Sequence, residues 1–158
     1  MKIFYIKSAR KILQNKDALE KKLKVKISVS GTNIQISGNE VDEFFAERVL
    51  KALDFSFLID EALLLANEDY IFEIINIKSY THRKDLKVIK ARIIGTEGKT
   101  LKVLMGLSNS YIAVKDNNVA VIAHCNDFEN AVQAVVSIIQ GSKQGNVYSY
   151  LEKAHKRD

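Results

Sequence analysis

The stretch Ala91-Arg-Ile-Ile-Gly-Thr-Glu-Gly-Lys-Thr-Leu-Lys-Val-Leu104 decides how the rest of the chain is read. Two glycines, Gly95 and Gly98, sit between two apolar-periodic segments. Upstream, Leu86, Ile89, Lys90 and Ile93 recur at helical spacing; downstream, Leu101, Leu104 and Met105 do the same. A Gly-x-x-Gly loop pinned between two short helices has no Cβ at its glycines, so another backbone can come close. The loop amides and the start of the following helix favour negative charge, as a phosphate would supply.

The flanking sequence gives this loop a context. Asp69-Tyr-Ile-Phe-Glu-Ile-Ile-Asn-Ile77 reads as a strand rich in aromatic and β-branched residues. After the second helix, Tyr111–Val114 and Val119–Ile122 flank the turn Asp116-Asn-Asn118 and predict a hairpin. A final helix follows, capped by Asn126 or Asp127, with Phe128, Ala131, Val132, Val135, Ile138 and Ile139 on one face. The order β-α-loop-α-β-β-α resembles, element by element, the type I KH domain, whose loop clamps about four nucleotides of single-stranded RNA.

The formal net charge of the 158 residues is +5, but it is unevenly spread. Residues 1–26 carry +7, residues 27–75 carry −8 and residues 76–158 carry +6. Seven bases (Arg83, Lys84, Lys87, Lys90, Arg92, Lys99, Lys102) crowd the glycine loop against only Asp85 and Glu97. Positive charge is thus placed where an RNA backbone would lie. No apolar run reaches the roughly 18 residues of a membrane span, and Met1–Lys7 has too short an apolar core for a signal peptide. The single Cys125 excludes an internal disulfide and fits a cytoplasmic setting. His124-Cys125 has neither His82 nor His155 at metal-ligand spacing, and no cofactor motif is present. Paired carboxylates such as Asp60-Glu61 and Glu68-Asp69 lack the setting of general acid–base machinery, so no enzymatic activity is expected.

A shift of 85 places matches the chain to itself. Ile27 and Val29 fall on Ile112 and Val114; Asn33, Ile34 and Ile36 fall on Asn118, Val119 and Val121; Ala46, Leu50 and Leu53 fall on Ala131, Val135 and Ile138. The same hairpin-then-helix therefore occurs twice. The predicted fold class is α+β: tandem type I KH domains packed together, the first (residues 1–66, with a connecting helix over Phe55–Ala66) degenerate. Its loop positions, Arg10-Lys-Ile-Leu13, contain no glycine, and Ser8 is expected to cap a single helix carrying Ile12, Leu19 and Leu23 inward. The second domain, residues 69–158, ends in a helix with the stripe Val147, Tyr150, Leu151 and Ala154 and a basic tail of Lys153, His155, Lys156 and Arg157.

Two KH units in tandem, the Arg92–Thr100 loop and the tail Gly-Asn-Val-Tyr-Ser-Tyr-Leu-Glu152 together resemble the archaeal Partner-of-NOB-one-like (Dim-two-type) family of ribosome-assembly proteins. The resemblance implies RNA binding near the 3′ end of small-subunit ribosomal RNA and association with the endonuclease that matures that end. The absence of the long N-terminal extension of eukaryotic members favours an archaeal source. The family's variable loop positions are partly basic; here they are Thr96 and Glu97. The expected RNA-binding set is Arg92, Gly95, Gly98, Lys99 and Lys102 toward phosphate and Ile94, Thr100, Tyr111 and Ile112 lining a base groove, with Lys90, Thr96 and Glu97 completing the set around the loop. The rival reading is a KH-fold protein scaffold without RNA readout, for which the −8 block offers a partner surface.

Overall fold

The computed structural model describes residues 1–156; Arg157 of the expected basic tail lies outside them. The chain forms two compact units, Met1–Tyr70 and one from Ile71 onward. The first contains β1 (Lys2–Tyr5), α1 (Arg10–Gln14), α2 (Lys16–Leu23), β2 (Lys26–Ser30), β3 (Asn33–Ser37), α3 (Glu40–Phe55), α4 (Ile59–Leu63) and a 3-10 turn over Leu64–Ala66. The second contains β4 (Tyr70–Asn76), a 3-10 turn over Ile77–Tyr80, α5 (Leu86–Ile94), α6 (Lys99–Ser108), β5 (Ser110–Lys115), β6 (Asn118–His124), α7 (Cys125–Ile139) and α8 (Gln144–Lys156).

Each unit has a three-stranded sheet of the same plan, β1-β3-β2 in the first and β4-β6-β5 in the second. Alternation sets what each sheet buries. In the first, Ile27 pairs with Ile36 and Val29 with Ile34, while Ile3, Tyr5 and Ser28 point the other way and are exposed. In the second, Ile112, Val119, Val121 and Ala123 join Ile75, Ile89, Ile93, Leu104, Ala131, Val135 and Ile138 in one core. Burial of each such Ile, Leu or Val side chain contributes about 1.5–3 kcal/mol before entropy is counted. β6 also buries Ala120 and Ile122, so the central strand is apolar on both faces.

The single helix expected after Ser8 is two helices. Asn15 leaves the helical ladder at φ −116°, and its side-chain amide donates to the Lys11 carbonyl at 2.8 Å. An asparagine that bonds its own backbone competes with the helix, and here it breaks it without glycine or proline. Ala9, not Ser8, precedes α1. The Ser8 and Lys7 amides instead donate to the Asp54 carboxylate at 2.9–3.0 Å, which ties the exit of β1 to the end of α3. The connecting helix is shorter than Phe55–Ala66, because α3 runs on to Phe55 and Ser56 turns the chain at φ +141° before α4 begins at Ile59. The cap of α7 is His124, whose Nδ1 accepts from the Asn126 amide at 3.1 Å, rather than Asn126 or Asp127. On α8, Val147 and Leu151 are buried, whereas Tyr150 is exposed and its hydroxyl donates to Asn130 at 2.9 Å.

Asp54 is thus a single acceptor for two strand-exit amides. Asp54→Ala should destabilise the first unit by about 1–3 kcal/mol. The expected readout is faster hydrogen exchange in β1 and α1 with β5 and β6 unchanged.

Candidate nucleic-acid interface

α5 starts where the Asp85 side chain accepts from the Lys87 amide at 3.2 Å. Its inward face is Leu86, Ile89 and Ile93. At 100° per residue the outward arc then holds Lys87, Val88, Ala91 and Ile94, all exposed. The apolar members matter: Val88 is 46% and Ile94 36% exposed, beside the loop. Val88 and Ala91 were not among the expected site residues. The signal was in the sequence, since an apolar residue off the buried stripe of a short helix needs a second surface.

The helix ends at Gly95, whose φ of +75° and ψ of 175° lie in a region open essentially to glycine alone. The chain then makes a 3-10 turn over Thr96–Gly98, with Glu97 at φ +56° and Gly98 at φ +74°. The Gly98 amide closes the turn on the Gly95 carbonyl at 3.2 Å. The two glycines serve different ends. A Cβ on Gly95 would lie 2.6 Å from the Thr100 Cβ and 2.8 Å from its amide nitrogen, so the first turn of α6 packs directly on it. A Cβ on Gly98 would meet nothing within 4 Å, which leaves that position open to solvent. Thr96 and Glu97 are exposed at the tip between them.

α6 buries Leu104 and Ser108, and its outward face is Lys99, Lys102, Val103 and Gly106. Among the described residues no carboxylate pairs with Lys84, Lys87, Lys90, Lys99 or Lys102. The loop is therefore flanked on both helices by unneutralised, mostly exposed bases, with a short apolar stripe on α5 between them.

Four expected contacts are placed elsewhere. The Arg92 guanidinium donates to the Ser142 carbonyl at 2.6 Å and the Ile138 carbonyl at 3.4 Å, so it is committed to the end of α7 rather than held out for phosphate. Thr100 sits beneath Gly95 and supports the loop. Ile112 is 5% exposed and belongs to the core, giving a base little to touch. Tyr111 is exposed, but it pairs with Ile122 on the sheet face opposite Ile112 and hence opposite the helices. Lys90 stands half-buried on the flank of α5; Ile94, Lys99 and Lys102 are exposed beside the loop. His124 caps α7 and Cys125 is that helix's first residue, and no cluster of three or more potential metal ligands occurs among the described residues.

The loop geometry separates the two glycines by experiment. Gly98→Ala should cost only the left-handed backbone, about 1–2 kcal/mol. Gly95→Ala should cost clearly more, because Thr100 must also move. Denaturation midpoints of the two variants, measured side by side, check the order.

Comparison with known proteins fits this geometry. The model for the second KH domain of PNO1, a "Eukaryotic type KH-domain (KH-domain type I)", matches residues 71–156, more than half of the chain. A KH domain-containing protein of Methanocaldococcus jannaschii is 26% identical over 149 residues, covering 90% of this chain and 66% of that protein. The pre-rRNA-processing protein pno1 of Aspergillus fumigatus is 32% identical over 115 residues, covering 70% of this chain and 46% of that protein. The chain thus spans just under two thirds of the first relative and less than half of the second. The crystal structure of Dim2p from Pyrococcus horikoshii superposes with a TM-score of 0.87 at 27% identity, over 96% of this chain and 98% of that one. A chain of the a/eIF2alpha-aDim2p-rRNA complex from the same organism gives a TM-score of 0.89 at 27% identity, over 99% and 94%. With a glycine-loop unit of this geometry and a match of this extent, the chain belongs to the PNO1 family of type I KH-domain proteins.

Proposed function

We propose that this chain binds single-stranded RNA through its second unit, in the assembly of the small ribosomal subunit. One observation carries the reading: a Gly-x-x-Gly turn, open at Gly98, lies between two helices whose outward faces bear unpaired lysines and the exposed Val88, Ala91 and Ile94. The lysines and the loop backbone hold phosphates, and the apolar stripe of α5 offers a floor for unstacked bases. A duplex would not fit this scheme, because A-form RNA hides its base edges in a deep, narrow groove.

The relatives support the same direction. One is named for pre-rRNA processing, and one similar structure contains ribosomal RNA. The finer reading is that the target lies near the 3′ end of small-subunit ribosomal RNA and that the maturing endonuclease is a partner; the family resemblance supports both. The first unit is read as a degenerate type I KH domain, since it repeats the order β-α-α-β-β-α and the sheet plan of the second. Where the second unit has its glycine turn, the first has Asn15 closing back on Lys11. That unit is assigned a structural or protein-facing role.

The test places Asp at both Thr96 and Glu97. Aspartate tolerates the left-handed backbone of position 97, so the circular dichroism spectrum should be unchanged. Thr96→Asp adds a second carboxylate beside the one already at position 97, and this like charge at the phosphate site should lower RNA affinity at least about tenfold. Retained affinity would leave the protein-scaffold reading. Competition then addresses the target: an oligonucleotide copying the 3′ end should displace a labelled ribosomal fragment far better than a scrambled one or than the same strand annealed to its complement. Equal competition by all three would reduce the site to a generic basic surface.

A further inference from the structure

The glycine loop leaves a vacancy in the helix that precedes it. At Gly95 the chain departs from helical ψ, so the Arg92 carbonyl in the last turn of α5 loses the amide that would normally reach back four residues. Its partner comes from 52 residues away: Gln144 Nε2, on the first residue of α8, donates to the Arg92 carbonyl at 2.8 Å. The same residue answers in the other direction. The Arg92 guanidinium donates to Ile138 and Ser142, carbonyls at the end of α7 and in the turn that leads to α8. Two helix C-termini are therefore capped reciprocally, each by a side chain from the other's neighbourhood. The α7–α8 turn is itself held by Ser142 and Val147 amides donating to the Ser137 and Lys143 carbonyls at 3.0 and 3.2 Å. Val147 and Leu151 then seat α8 on the core.

We infer that Gln144 is a positioning residue for the glycine loop, so that α8 acts in RNA binding without touching RNA. The inference rests on the RNA-binding reading above. Its physical basis is narrower than that reading. A loop with φ above zero at Gly95, Glu97 and Gly98 has few internal bonds to fix it, and the carbonyl three residues before its first glycine is one of its anchors. Losing the donor at Gln144 leaves that carbonyl to water and lets the end of α5 fray. A frayed loop must be ordered again on binding, and that ordering is subtracted from affinity.

Gln144→Leu removes the donor at nearly constant shape and adds no charge; Gln144→Ala is the second variant. Each should lower affinity for a single-stranded RNA oligonucleotide about fivefold, the equivalent of one ordinary hydrogen bond. The dependence of affinity on salt should keep its wild-type slope, because no cationic side chain is removed. Amide exchange should quicken at Gly95 through Lys99 and stay unchanged in β5 and β6. A variant that melts earlier yet keeps wild-type affinity and wild-type loop exchange would show a merely structural bond and overturn the inference. So would lost affinity with wild-type loop exchange, which would make Gln144 a direct contact to RNA. Should the wild-type chain not bind RNA at all, the function proposed above would fail, while loop exchange would still decide what Gln144 does.

Discussion

The contact of Gly95 with the first turn of α6 is the constraint on which the glycine-loop unit depends. Because no Cβ intervenes, the Thr100 backbone and side chain sit against the Gly95 α-carbon, and α5 and α6 meet across only four residues. That closeness sets where the outward arcs of the two helices lie. Lys87, Val88, Ala91 and Ile94 on one, and Lys99, Lys102 and Val103 on the other, flank a single open turn. Any side chain at position 95 would push α6 away and separate the bases from the apolar stripe. The glycine is thus a packing residue first; its permissiveness toward a ligand is the smaller part of its role. Gly98 has the opposite balance, with open space where its side chain would be.

Much of this was legible because the signals were local. The period of Leu86, Ile89 and Ile93, the β-branched run before it, and the 85-residue self-match fix element types without reference to tertiary contacts. What was not legible depended on partners far away in sequence. Arg92 reads as a phosphate ligand by position, yet its fate is decided by carbonyls at 138 and 142. Tyr111 and Ile112 are expected in one groove, which two adjacent residues of a strand cannot share, since successive side chains face opposite ways. The break at Asn15 is hidden in the sequence for another reason: glycine and proline are the usual punctuation, and an asparagine acts only when its amide finds a carbonyl, as it does at Lys11. His124, discounted as a metal ligand, proved to be a cap because its ring nitrogen accepts where serine or aspartate would.

The comparison of the two units shows what separates a charged surface from a clamp. Both carry bases at the junction of their first two helices: Arg10, Lys11 and Lys16 in the first, Lys87, Lys90 and Lys99 in the second. Charge alone attracts a polyanion without regard to its sequence, and that attraction fades with salt. Discrimination needs something fixed for a base to press against. In the second unit the short turn holds two helices at a set distance and leaves Val88 and Ile94 bare. In the first, the asparagine side chain fills the turn by bonding Lys11, and the inward residues Ile12 and Leu19 leave only Leu13 exposed among its large apolar side chains there. The same order of elements therefore carries an exposed apolar stripe in one unit and lacks it in the other. The difference traces to a pair of glycines and one asparagine, while the sheets behind them, β1-β3-β2 and β4-β6-β5, keep one plan.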